Sequence, residues 1–287
     1  MIATPHEEPG TRPWLLLLPA GVVYLFTFLI PFAVLFLTSF ATYHRGVTTL
    51  DPTLDNYRQF FTDGVTLRVF VRTVRLAVFI ALACLGLGYP VGLYMRRAAP
   101  RVRLALLFLI VSPLLTSVIV RNVAWLLILG RTGIINSALQ TTGLVSQPLP
   151  LMYNDLGVII GVTHVYLAFM ALPIFGSLAA IDPATEESAA SLGAPPLRVF
   201  WHITLPLSLP GVVAGVTLVF ILSMGIYLTP IIMGGNFVTT LPMVITDLVR
   251  NQFNWAKASA FAVMLLVSVG ALLLMSRRLG RPRVPAA

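Results

Sequence analysis

Apolar residues in this chain come in long, nearly unbroken runs. Six emerge, over 14–40, 71–95, 104–129, 157–181, 206–228 and 257–276. Each can cross about 30 Å of hydrocarbon as a helix, since a span needs roughly 20 residues at about 1.5 Å each. Spanning strands would alternate polar and apolar positions over shorter segments, and these runs do not. The pattern predicts an all-α, polytopic membrane protein with about six transmembrane helices. No linker or second soluble domain interrupts it, so residues 1–287 read as a single transmembrane domain.

Composition strengthens that reading. Of the 287 residues, 57% are hydrophobic and only 10% charged, with a mean hydropathy of +0.91. A soluble domain carries about a quarter charged residues, so this chain cannot clothe a water-facing surface. The formal net charge is +9, but the basic residues gather at the ends of apolar runs, as orientation in a bilayer demands. No basic face interleaved with aromatics suggests a nucleic-acid partner. The single cysteine, Cys84, sits inside an apolar run and reads as a small packing residue. Residues 1–13 carry Glu7, Glu8 and Arg12 rather than a basic leader, so the first run is expected to stay as a span.

Arginines set the expected orientation. Segments 1–13, 96–103, 182–205 and 277–287 hold ten, and the longer segments 41–70, 130–156 and 229–256 hold five. The bias favours both termini in the cytoplasm, which places the loop 182–206 there as well. Pro31, Pro90, Pro113 and Pro173 lie within or near the ends of runs and are candidate kinks. Gly88 with Gly92, and Gly211 with Gly215, have the four-residue spacing that lets helices approach closely.

The loop EESAASLGAPPLRVFWHITLP (186–206) is the most polar passage. Asp182 suits an N-cap, and Pro183 suits the first helical position. Glu186 and Glu187 follow where a helix N-terminus favours negative charge. A short helix is expected over 184–192. Gly193 would end it in a left-handed cap and Pro195 would block its continuation. A second short helix would run from Pro196 toward Ile203, and Pro206 would open the fifth span. By local physics alone the result is either a helical surface for a partner's groove or a solvated loop whose glycine and prolines serve turns.

Glu187, Ser188, Ala189 and Gly193, then nine residues, then Ile203, Leu205 and Pro206 resemble the EAA motif of permease subunits in binding-protein-dependent ABC importers. Ser188 stands where that motif has its first alanine. The runs PLLTSVIVRNVAWLLILGRTGIINSAL (113–139), SMGIYLTPIIMGG (223–235) and VITDLVRNQFNWAKASAFAVML (244–265) are similar to polyamine-type permeases of that group. The likeness covers most of the chain from the second span onward. It is nearest to the spermidine/putrescine permease that pairs with a second, similar permease; relatives handle ferric iron, thiamine and opine-like compounds.

The resemblance implies a type I ABC importer permease fold. It implies a coupling helix in the 182–206 loop that docks on a cytoplasmic ATPase present in two copies, and a periplasmic or surface binding protein that delivers cargo. This chain carries no Walker-type phosphate loop and no metal motif. It is therefore expected to be a non-catalytic subunit without a cofactor of its own, with ATP and Mg bound by the partner. Candidate residues of the substrate path are Arg121 and Asn122 in the third span, His164 in the fourth, Tyr227 near the end of the fifth, and Asp247 in the last outside loop. Intramembrane charge is costly and faces a bundle interior or wet cavity, although Arg121 could also snorkel to the interface. His164 could hydrogen-bond between helices, Tyr227 could stack on an organic cation, and Asp247 could receive a cation or cap a helix. Other readings are a membrane-embedded enzyme, which needs a convergent set of ionisable groups, and a stand-alone channel or secondary transporter, which leaves the spaced loop motif unexplained.

Overall fold

The computed structural model describes residues 18–44, 46–49 and 51–279. The start of the first run at Trp14, and Arg12, Arg45, Arg281 and Arg283 from the charge comparison, lie outside the described residues. Among the described residues, six stretches are long and apolar enough to cross a membrane.

The first, α1 (Leu18–Ser39), contains a π-helical turn at Leu25–Leu29 and exposes almost every side chain. Its second half packs against the last helix. A small antiparallel hairpin follows, β1 (Thr42–His44) with β2 (Val47–Thr49), which the run pattern does not anticipate. The short α2 (Asp55–Thr62) leads to α3 (Gly64–Arg97). Asp63 caps α3 by accepting from the backbone N–H groups of Val65 and Thr66. At 34 residues and about 1.5 Å per residue, α3 exceeds the hydrocarbon thickness. It starts seven residues before the expected 71, because Arg68 and the polar Thr66 lower hydropathy there without breaking the helix.

The third run is not one helix. α4 (Pro100–Val111) ends in a 3-10 turn at Ser112–Leu115, Thr116 and Ser117 are extended, and α5 (Val118–Leu129) then begins. Pro113 has no N–H to continue the ladder. With α6 (Ile134–Thr141), α5 forms the apolar stretch long enough to span. α7 (Asp155–Ala179) is capped by the Asn154 side chain, which accepts from Gly157 N–H. The loop helix α8 (Pro183–Ser191) follows.

The next helix, α9, runs unbroken over Pro196–Met224. The expected separate helix from Pro196 and a span starting at Pro206 are therefore one element. A π-helical turn at Phe200–Thr204 joins them. Pro206 cannot donate to the His202 carbonyl, and the wider turn re-registers the helix just before it. α9 ends at Met224. Beyond it come a π-helical turn at Pro230–Gly234, a 3-10 turn at Gly235–Phe237, α10 (Leu241–Arg250) and α11 (Trp255–Leu279). The 230–237 segment and α10 meet at 90°.

The core is the contact of α3, α7 and α9, and the paired glycines make it possible. A Cβ on Gly88 would stand 2.9 Å from Met170 Cγ, and one on Gly215 would stand 2.8 Å from Met170 Sδ. Met170 fills the notch that the two glycines leave. On Gly92 a Cβ would press on Ile174, and on Gly211 it would collide with Pro173 O and Ser177. Helix backbones meet this closely only where side chains are small.

Candidate functional site

Two polar regions stand out, one at each end of the bundle. At the end that carries the loop, Asp182 accepts from Ala184 N–H at 3.0 Å and starts α8. Gly193 closes it with φ +82°, a left-handed conformation that glycine adopts without steric cost. Pro195 is extended and α9 starts directly after it. The expected helix, bend and helix are all present. Glu187 and Ser188 are exposed, and Ala189 is half-buried against the bend. Ile203 and Leu205 are half-buried and Pro206 is exposed, all in or just after the π turn.

Sequence reasoning missed three features here. The first is Glu186. Its Oε1 accepts from Arg96 Nη1 at 2.7 Å and from Thr204 Oγ1 at 2.6 Å. The side chains of Arg96 and Glu186 are only 11% and 19% exposed. Burial pushes the Glu186 carboxyl up, but the hydrogen bonds from Arg96 and Thr204 and the charges of Arg96 and Arg97 leave it below its ordinary value. The second is the fixing of the end of α3. Arg96 Nη2 also donates to Ile181 O, and Arg103 donates to the carbonyls of Met95, Arg96 and Ala98. The third is an apolar tip: Leu192, Leu197 and Trp201 are 89%, 75% and 60% exposed. Exposed apolar groups clustered beside a polar loop mark an interaction surface. A groove of about 280 Å³, lined by Leu93, Arg97, Glu187, Ala190 and Phe200, separates α8 from the start of α9.

At the opposite end, the chain leaves helix after α9 and is held by side chains from four directions. Tyr166 Oη donates to Leu222 O, Asn122 Nδ2 to Thr229 Oγ1 at 3.2 Å, and Thr240 Oγ1 to Ile226 O. Thr73 Oγ1 accepts from Leu241 N–H. Asn122, expected on the path, is fully buried and serves this anchor. Among the described residues, Arg121 neither pairs with an acid nor reaches out as a free head group. Its Nη1 donates to Pro113 O and more weakly to Thr116, satisfying carbonyls freed by the helix break, while its buried Nε has no partner among the described residues.

Tyr227 is the residue that joins the expected path positions. It lines a pocket of about 370 Å³ with Arg121, Tyr166 and Thr229. It also lines one of about 500 Å³ with Asp247, Arg250 and Asn251. Asp247 is exposed there and accepts from Asn251 Nδ2 at 2.6 Å and Gln252 Nε2 at 2.7 Å. Those two bonds hold its carboxyl below the ordinary value. His164 stands apart: it faces outward from α7, edge-on to Trp125 at 5.5 Å between ring centroids, and makes no hydrogen bond among the described residues. The helix–helix hydrogen bond expected of it is replaced by aromatic contact.

Asp155, at the start of α7, binds two arginines of α3. Arg72 and Arg75 each reach it at 2.6 Å. Both fall inside the apolar run 71–95, and the longer α3 moves them to the end that carries the hairpin. The arginine asymmetry is thereby smaller than the runs suggest, although Asp155 offsets part of that charge.

No protein-family model matches the chain. The spermidine/putrescine transport system permease protein PotB of Escherichia coli K12 is 32% identical over 262 residues, 91% of this chain and 94% of that protein. The chain belongs to the polyamine-type permease family of ABC importers. The inner membrane ABC transporter permease protein YdcU, also of Escherichia coli K12, is 29% identical and covers 96% of the permease and 91% of its own length. Among solved structures, a bacterial alginate ABC transporter, crystallised with an alginate pentasaccharide-bound periplasmic protein, has a chain that superposes with a TM-score of 0.75. It is 18% identical and covers 96% of the permease and 97% of that chain. A chain of the MetNI methionine ABC transporter superposes at 0.55 over 75% of the permease and 94% of its own length. The permease therefore has the type I importer fold.

Proposed function

We propose that this permease forms half of the translocation path of a polyamine importer in the bacterial inner membrane. Both termini face the cytoplasm, which puts the 182–206 loop on the side of ATP. Two cytoplasmic ATPase subunits bind ATP and Mg and hydrolyse the nucleotide. A second, similar permease completes the path, and a periplasmic or surface binding protein delivers cargo. The observation that carries the coupling role is α8: a capped helix with an outward Glu187, a glycine bend, and an apolar tip continuous with the span α9. Glu187 pairs with a basic group of the ATPase, and Gly193 fixes the angle at which α8 is presented. Ser188 and Ala189 keep that surface shallow. Ile203, Leu205 and Pro206 carry the motion into α9.

On the far side, Tyr227 and Asp247 form the cargo-facing wall, with an aromatic face and a carboxylate suited to an organic cation. Asn122 positions the unwound segment that bears Tyr227, Arg121 steadies the helix break beside the same pocket, and His164 lies on the face turned to the second permease or the path. The names of the curated relatives support spermidine or putrescine as cargo.

The experiment is uptake of labelled spermidine and putrescine in cells lacking this chain, with the ATPase still produced. Uptake lost on deletion and restored by the wild type, but not by Tyr227→Ala or Asp247→Asn, is the expected result. Unchanged uptake in a strain with no other polyamine importer moves the cargo to another solute. In the same cells Glu187→Ala and Gly193→Leu are expected to weaken ATPase association and transport; wild-type behaviour of both sinks the coupling role of α8.

A further inference from the structure

We propose that Arg96, Glu186 and Thr204 form a positioning strut that locks α8 to both α3 and α9, so that motion imposed on α8 reaches two spans as one body. The inference rests on the coupling role of α8 proposed above and assigns a residue outside the motif-like positions.

Covalent linkage alone would tie α8 to the end of α7 through Ile181 and to α9 through the Gly193 bend. Both links are short, but the second turns on a left-handed glycine with open space around it. A helix held only there could swing without moving the bundle. The strut removes that freedom. One carboxylate oxygen, Glu186 Oε1, receives both Arg96 from α3 and Thr204 from the π turn of α9. Arg96 simultaneously holds Ile181 O, at the end of α7. The guanidinium is pre-set, because Arg103 fixes the backbone carbonyls on either side of it. A planar guanidinium in a short, sequestered pair has little angular play.

The three helices so joined are those that meet across the Gly88, Gly92, Gly211 and Gly215 contacts. That packing transmits displacement rather than absorbing it. The neighbouring Glu187 is exposed at the rim of the groove and takes no part in the strut. The two adjacent glutamates thus have separate roles. Glu187 meets the partner, and Glu186 carries the load inward.

The test uses the assembled complex in lipid nanodiscs or proteoliposomes. Spin labels at Ser191→Cys on α8 and Tyr94→Cys on α3 should report one narrow distance that does not change between nucleotide-free and ATP-bound complexes. Adding Glu186→Gln should broaden that distribution. A wild-type distance that shifts by several ångströms on ATP binding overturns the proposal.

The second readout is labelled spermidine transported per ATP hydrolysed. Glu186→Gln should lower it by about fivefold or more, with the ATPase still co-purifying. Thr204→Val, a milder change, should act in the same direction. Wild-type ratios in both Glu186→Gln and Thr204→Val overturn the strut. If Glu187→Ala loses the ATPase while Glu186→Gln keeps the wild-type ratio, the strut fails and the coupling role stands. If Glu187→Ala and Gly193→Leu both behave as wild type, the coupling role itself has failed.

Discussion

Glu186 and Glu187 are neighbours on one helical turn, yet their surroundings differ completely. Glu187 is solvated, whereas Glu186 is mostly buried and held by a guanidinium and a hydroxyl at the wall of the groove. Its folded carboxyl sits below the ordinary value of about 4.5. A depressed acid contributes stability above its unfolded value and loses it as pH falls through the folded one. The wild type should therefore melt above Glu186→Gln at neutral pH, and the gap should close as pH drops below about 4.5. Thermal melting of the purified permease across that range checks this; a gap independent of pH would mean that charge is not the source. The motif-like spacing points to Glu187, and nothing local distinguishes its neighbour. Glu186 finds Arg96 across 90 positions of chain, a separation no local rule reaches.

Between elements, the decisive contacts are made by residues without side chains. Gly88, Gly92, Gly211 and Gly215 let α3, α7 and α9 meet around Met170, Pro173 and Ile174. Gly86 lies on the same α3 but meets nothing within 4 Å. Gly211→Ala should destabilise the permease by about 1–3 kcal/mol through overpacking. Gly86→Ala should be neutral or stabilising by up to about 1 kcal/mol, since alanine is the better helix former. Melting in one detergent compares the two; equal effects would show that helix propensity, not close approach, sets the cost. The four-residue spacing was legible in the sequence, but which helices the glycines face was not. The break in the third run was half legible. Pro113 marked a kink, yet only the structure reveals the turn and the carbonyls that Arg121 satisfies. A hydropathy profile sees an uninterrupted apolar stretch there, because a break leaves composition unchanged.

At the scale of the whole molecule, orientation is the property that most needs measurement. The longer α3 puts Arg72 and Arg75 beside Asp155 at the hairpin end and narrows the charge asymmetry. Because Cys84 is buried, single cysteines can be added on a silent background. With the termini inside, a membrane-impermeant maleimide should label Thr142→Cys in intact spheroplasts and Ser191→Cys only after lysis. The reverse pattern would invert the topology and place α8 out of reach of a cytoplasmic ATPase.

The sequence by itself determined the number of spans and the caps and bend of the 182–206 loop. Each of these follows from short-range physics: apolar run length against bilayer thickness, and the backbone preferences of aspartate, proline and glycine. Tertiary structure decided what those parts do to one another. It fused the second loop helix with the fifth span, turned Asn122 and Arg121 into anchors, brought Tyr227 and Asp247 to one pocket, and gave Glu186 its partners. Such outcomes depend on which distant groups compete for the same buried space and the same hydrogen bonds, and that competition exists only once the helices have packed.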